Sequence, residues 1–402
     1  MPPSFMKRHW EIDALRGLML VLMTVTHLPT HFTDPLGQPF GWVSAAEGFV
    51  LLSAFMAGLV YSRYARRDGV ESMRSAFWRR VLKIYLAHAA LLLFLFTVIT
   101  ALGIRRMQPA VTNLVSWYLA QPGEGFVFGL LLIYEPALLD ILPMYIFFML
   151  LSPWVLAFAL RHQRWGWPAV MVASAALWAA AQHGLSEWVY GWAFALTGLP
   201  VPFNEMGAFN AYAWQFLWFG GLWLGFTRSA PQARPLRLHW AVVAPAVAVA
   251  LVGLYWRHFG EHGQAPFGAD IARNLWVDKW QLGPLRLLNL MALGIVAIRF
   301  GPTWARWLPR VRWLETLGRA SLPAFCAHLV AVLTVLAIFG DSQTSRPWWA
   351  DTLLLAVVLA WMWAVARYTQ NADAAPPEET VQPPEPPAAL EAATPTGSAG
   401  LT

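Results

Sequence analysis

Apolar residues run through this chain in long blocks separated by short polar and basic segments. Ten blocks are long enough to cross roughly 30 Å of hydrocarbon as helices. They lie near residues 13–33, 42–62, 84–102, 142–160 and 167–183, then near 209–227, 239–256, 285–300, 320–338 and 348–367. A shorter stretch from Phe126 to Ile133 cannot span and predicts a re-entrant or interfacial helix within the long segment 103–141. From Asn371 onward Pro, Ala, Glu and Thr replace the apolar pattern, and nothing there offsets the entropy of ordering. The pattern therefore predicts an all-α polytopic membrane protein of about ten transmembrane helices: a membrane domain over residues 1–370 and a disordered cytoplasmic tail over 371–402.

Composition removes the soluble alternative. The chain is 58% hydrophobic and only 12% charged, about half the charge of a soluble domain, so a large soluble core would lack a charged shell. Charge then sets orientation. The formal net charge is +6, but Lys and Arg occur in short clusters between apolar runs rather than along one surface, which argues against a nucleic-acid partner. With both termini in the cytoplasm, 20 of the 28 basic residues fall in cytoplasmic segments, from Lys7 and Arg8 through the cluster Arg63–Lys83 to Arg234, Arg237 and Arg367. The reversed orientation violates the positive-inside rule. Lys7 and Arg8 precede an apolar run as in a signal peptide, but that run holds Arg16 and His27 without a small-residue cleavage site, so it reads as a retained first helix. The single cysteine, Cys326, excludes an intramolecular disulfide and a cysteine-based zinc site, and no metal set is expected.

Three segments carry candidate chemistry. In the first helix Arg16 and His27 are eleven residues apart, which brings them within about 20° of one face with about 16 Å of rise. Ionisable groups at membrane depth are costly and normally face an internal cavity, and imidazole suits proton transfer near neutral pH. The bland reading is an interhelical hydrogen bond for His27 and a snorkelling Arg16. In the second helix Glu47 and Ser53 interrupt apolar sequence. A buried carboxylate needs a partner, with His27 or Arg16 the natural candidates, either as a structural ion pair or to orient the imidazole. At the start of the third helix Arg79, Arg80 and Lys83 form a basic face suited to phosphates, although ordinary anchoring explains such a cluster equally well.

These segments, in this order, resemble the acyltransferase-3 superfamily of membrane acyltransferases. An Arg, ten residues and a His match Arg16 and His27; the family's next motif reads here Ala46, Glu47, Gly48 with Ser53, Ala54, Phe55; and Arg80 and Lys83 stand where two arginines are common. Within it the chain is most similar to the OpgC family, through the segments 138–153, 209–225, 279–293 and 317–330. Two departures are Glu47 for Asp and Lys83 for Arg, the second giving up a bidentate phosphate fork.

The resemblance implies a bacterial inner-membrane enzyme with no tightly bound cofactor. It would use cytoplasmic acyl-CoA, expected to be succinyl-CoA, and acylate the hydroxyls of a periplasmic glucan. Arg16, Arg79, Arg80 and Lys83 would hold the CoA phosphates, and His27 would act as general base with Glu47 fixing its tautomer; an acyl-imidazole on His27 is the rival route. His31, one turn further, is a second imidazole able to fill either role. Lys279 and Arg286 are the candidate cations for a succinyl carboxylate, and Asp140 and Glu205, with loop aromatics such as Trp188, Tyr190 and Trp192, the candidate saccharide contacts. A proton-coupled secondary transporter of a small anionic or sugar substrate is the alternative. The crowding of charge into the first three helices beside a basic cluster favours a cofactor route instead.

Overall fold

A computed structural model describes residues 10–374 except 231–237, 260–265 and 342–345; Lys7, Arg8, Arg234, Arg237 and the tail beyond 374 therefore lie outside the described residues. Within them the chain is helical with no strand. A long helix lies in each of the ten predicted blocks: α1 (Trp10–His27), α2 (Ala45–Asp68), α3 (Val70–Arg106), α4 (Ile141–Arg161) and α5 (Gly166–Ala181), then α6 (Ala211–Arg228), α7 (Trp240–Phe259), α8 (Pro284–Trp307), α9 (Ser321–Phe339) and α10 (Trp348–Ala374). Seven are long and apolar enough to cross a membrane; α1, α5 and α6 fall short. Their deviations have a physical source. α1 begins with Glu11, Asp13 and Arg16, and α6 carries Trp214, Gln215 and Trp218 as buried groups. Helices clothed by other helices tolerate polar residues that a lipid-facing helix cannot. α7 and α10, by contrast, bury only 17% and 22% of their apolar windows and form the outside of the bundle.

Local sequence sets the helix ends. α1 stops at His27, well short of residue 33, because Leu28 precedes Pro29, and proline disfavours helical backbone at the residue before it. α3 starts at Val70, not near 84, since its basic first half continues the helix beyond the apolar block; a π turn at Leu95–Ile99 interrupts it, and the Thr100 hydroxyl donates to the Leu95 carbonyl there at 2.8 Å. The stretch predicted at 126–133 forms a helix at Pro122–Leu130, nine residues long and too short to span. α10 runs to Ala374, past the boundary predicted at 370.

Glycine sets the central packing. α2 and α6 pack along much of their length, with Gly58 against the Leu222 carbonyl and Gly225 against the Phe55 carbonyl. A Cβ on Gly225 would stand 2.0 Å from the Phe55 oxygen. Without a hydrophobic drive between helices in lipid, such small-residue contacts let backbones approach and dispersion hold them. Gly17 and Gly318 do the same between α1 and the short helix Arg312–Arg319, where a Cβ on Gly318 would stand 1.8 Å from the Asp13 carbonyl. Gly225→Val is expected to force α2 and α6 apart at a cost of roughly 1–3 kcal/mol, read as a lowered unfolding midpoint in detergent, whereas the same change at Gly294, which has open space around it, should leave the midpoint nearly unchanged.

Candidate active site

The basic end of the bundle is built by the start of α1, the start of α3, the helix Arg312–Arg319 and the start of α9. Arg16 donates to the Ser321 hydroxyl at 2.5 Å. Arg319 bonds Glu315 at 3.1 Å and approaches Asp13 to 3.6 Å, and Arg310 forks onto both Glu315 oxygens at 2.5 and 2.8 Å. These cations hold the Glu315 carboxyl below the usual carboxylate range, Arg310 foremost. Between α3, α9 and α10 opens a polar cavity of about 100 Å³, lined by Arg80, Lys83, Arg319, Ser321, Thr369 and Gln370. Arg79 does not share it. It is exposed and donates to Ser75 at 2.9 Å, because adjacent helical residues point about 100° apart. The predicted basic face is therefore Arg80 and Lys83, joined by Arg319, which the sequence reading did not single out.

Arg80, Ser321 and Leu322 also line a second, narrower cavity of about 30 Å³ further in, with Arg16, Phe49, Ser53, Tyr145 and Phe325 on its walls. Phe325 forms part of its wall. Its ring stacks with Phe49 at 6.1 Å and lies 5.1 Å from the imidazole of His328, one turn along α9. His328 in turn meets His27 edge to edge: His27 Nδ1 is 3.0 Å from His328 Nε2, with ring centroids 5.3 Å apart and ring planes 23° from parallel. Arg16 and His27 thus both face α9, the first at the basic end and the second at its own C-terminus. His328 is fully buried and His27 is half-buried.

Glu47 is placed differently from its predicted role. Its carboxylate, fully buried, takes Arg286 Nη1 at 2.6 Å and both the backbone N–H and the hydroxyl of Ser44, closing a capping box at the start of α2. The partner of His27 Nδ1 is His328, not Glu47. Arg286 is likewise engaged, donating through Nε to the Val277 carbonyl at 2.9 Å as well as to Glu47. It is buried in an internal ion pair. His31 is also held elsewhere: its Nδ1 is 2.6 Å from Asp351 at the start of α10, and Arg346 donates to the same carboxylate at 2.8 Å.

Lys279 has a different setting. Its ammonium lies 4.5 Å from the Trp280 ring centre and 5.6 Å from that of Phe209, within cation–π range. Burial lowers its pKa below the ordinary lysine value, against the opposing influence of Glu47, Asp140 and Asp278. Asp140 is buried, accepts from the Ala208 N–H at 3.2 Å, and burial pushes its carboxyl up to about 6. Glu135, absent from the sequence reading, is its neighbour. Burial first, and the Asp140 charge second, raise its carboxyl well above the usual range. Its backbone N–H donates to the Glu205 carbonyl at 3.0 Å, which ties Glu205 to the same corner. Trp188, Tyr190 and Trp192 sit apart on a helix, Leu185–Thr197, that buries none of its residues, with Tyr190 donating to the Val201 carbonyl at 3.1 Å.

The Glu47–Arg286 pair supplies a stability test of this arrangement. Arg286→Met strands a carboxylate in the bundle and is expected to lower stability by roughly 3–5 kcal/mol, while Glu47→Gln with Arg286→Met should recover a large part of that loss. Unfolding midpoints of the two single variants and the double variant measure it. Additive single losses would show that the two side chains are not coupled.

A sequence model of a family described as OpgC protein matches residues 8–374, nearly the whole chain. No curated protein and no solved structure matches it.

Proposed function

The chain belongs to the OpgC family, whose membership implies acyltransferase activity, and from that premise we propose that it carries an acyl group, expected to be succinyl, from cytoplasmic acyl-CoA to hydroxyls of a periplasmic glucan. The observation that carries the reading is the line of groups along α9. Arg16 and Arg80 stand at a cavity that leads inward to Phe325, and the His27–His328 pair lies one turn beyond. A cationic mouth, a narrow apolar passage and an imidazole against one of its wall residues correspond in order to the phosphates, pantetheine arm and acyl carbon of a CoA thioester.

In this reading Arg80, Lys83 and Arg319 take the phosphates at the wider cavity, and Arg16 stands at the neck. A passage of about 30 Å³ holds one or two water molecules and no pantetheine. Donor binding therefore requires Phe49, Phe325 or Tyr145 to swing aside. The acceptor comes from the opposite end, where Asp140, Glu135 and Glu205 offer oxygens to sugar hydroxyls and the Trp280 and Phe209 rings flank Lys279. His27 takes the proton of the acceptor hydroxyl as its oxygen bonds to the thioester carbonyl. The tetrahedral adduct then collapses, the carbon–sulfur bond breaks, and His27 returns the proton to the departing thiolate. Both proton transfers are internal, so the cycle needs no other acid or base. Lys279, held on the Trp280 and Phe209 rings and bonded to no carboxylate among the described residues, would receive the far carboxylate of a succinyl group.

Two measurements test this. In cells that make periplasmic glucans, the wild-type chain should add acyl mass to the glucan, and His27→Ala should cut the rate roughly 100- to 10 000-fold; unchanged acylation by the alanine variant would remove His27 from the chemistry. Lys279→Gln should reduce kcat/KM for succinyl-CoA roughly 10- to 100-fold relative to acetyl-CoA, the worth of one charge-assisted hydrogen bond. An equal fall for both donors would assign Lys279 to something other than the acyl terminus.

A further inference from the structure

We propose that His328 is a positioning residue for this reaction: its Nε2 lone pair holds the Nδ1–H of His27, which leaves the Nε2 of His27 as the proton acceptor. The inference rests on the reading of His27 as the base and adds what makes that imidazole a base.

The assignment follows from one atom that can only accept. His328 Nδ1 lies 3.0 Å from the carbonyl oxygen of Phe325, so Nδ1 carries a proton. His328 has no accessible surface, and among the described residues no carboxylate bonds to it. An imidazolium there would be an unmatched charge at bundle depth, so the ring is neutral and its Nε2 is a lone pair. That lone pair faces His27 Nδ1 at 3.0 Å, so the proton between the rings belongs to His27. A neutral His27 then has its lone pair on Nε2, the nitrogen turned away from His328. The opposite assignment would put a bare Nδ1 of His328 against the Phe325 oxygen, lone pair against lone pair.

A chain of three groups, Phe325 carbonyl, His328 and His27, therefore does the work that a carboxylate does beside the histidine of a serine-hydrolase triad. The difference suits the location. A carboxylate at this depth would itself need a counter-charge, and the carboxylate on the neighbouring helix, Glu47, is taken by Arg286 and Ser44. A neutral imidazole fixes the tautomer without importing charge. When His27 takes the acceptor's proton, the imidazolium keeps its Nδ1–H on the His328 lone pair, so nothing has to reorganise during the step.

The test uses full-length protein in detergent or nanodiscs with two substitutions. His328→Leu removes the acceptor and is expected to lower kcat roughly 100- to 10 000-fold, the range for a base in the wrong tautomer, with KM for acyl-CoA nearly unchanged. His328→Gln returns an oxygen acceptor near the Nε2 position and should recover activity to within about tenfold of wild type. Nitrogen-15 NMR of histidine-labelled protein, assigned with His27→Ala, reads the tautomer directly: His27 should be protonated at Nδ1 and bare at Nε2 in the wild type and in His328→Gln. If His328→Leu fails to fold, the glutamine variant and the wild-type spectrum still decide. A wild-type His27 protonated at Nε2, or a folded leucine variant at the wild-type rate, overturns the proposal. Activity surviving in His27→Ala instead overturns the reading of His27 as base; loss there with an unimpaired His328→Leu overturns the positioning role alone.

Discussion

A charge carried into an apolar helix bundle has to be met inside the bundle, and most of this structure follows from how that demand is satisfied. Glu47 and Arg286, 239 residues apart, meet at 2.6 Å with almost no exposure and tie the start of α2 to the start of α8. Ser44 fills the remaining oxygen of the carboxylate and at the same time caps α2. A pair of this kind is seldom a net source of stability, since desolvation consumes its Coulomb energy, but losing one member leaves an uncompensated ion. It therefore behaves as a registration device: α2 and α8 have one relative position in which neither charge is stranded. The basic end repeats the device with Asp13, Glu315, Arg310 and Arg319, which fasten the helix Arg312–Arg319 under α1.

That pairing sorts the polar residues by what remains to them. Glu47 and Arg286 are bonded to each other and to Ser44 and the Val277 carbonyl, and so belong to the frame. His27, half-buried at the last turn of α1, is bonded through Nδ1 to His328, and Lys279 is held on two rings, so neither is tied into an ion pair of the Glu47–Arg286 kind among the described residues. Glu135 and Asp140 form an intermediate case. Burial raises both carboxyls above the usual range, and the Asp140 charge adds to the rise at Glu135.

The helices were legible in the sequence because apolar length is a local property that the bilayer imposes block by block. Even the end of α1 was written locally, in Leu28–Pro29, although the apolar block seemed to run on to residue 33. The common orientation of Arg16 and His27 toward α9 follows from helical period alone. What the sequence did not carry were partners set by tertiary packing. Glu47 found Arg286 rather than a residue of α1, and His328 is one polar residue in an otherwise apolar run whose partner ring lies 301 positions away. No periodicity connects two such residues. Glu135 beside Pro136 reads as an ordinary loop acid until folding sets it against Asp140. Arg79 illustrates the converse, a cluster that is basic in sequence but divided between faces by the turn of the helix.

Under the proposed transfer of an acyl group across the membrane, the narrowness of the inner cavity takes on a role. A thioester is vulnerable to water, and a passage with room for one or two water molecules admits little to attack it until the aromatic walls part. Phe325 is placed at the centre of that arrangement in two ways. Its ring stacks on Phe49 at the inner wall of the passage, and its carbonyl fixes the proton of His328, which bonds His27. The side chain can rotate while the carbonyl stays, because χ1 rotation leaves α9 backbone hydrogen bonds untouched. Opening the passage to a donor is thereby compatible with an unmoved base. Had the tautomer been held by a side chain on the passage wall itself, each donor that entered would have disturbed the group it needs. Backbone control of the imidazole separates the two tasks, and it places the moving parts on the donor side and the fixed parts on the side of the proton.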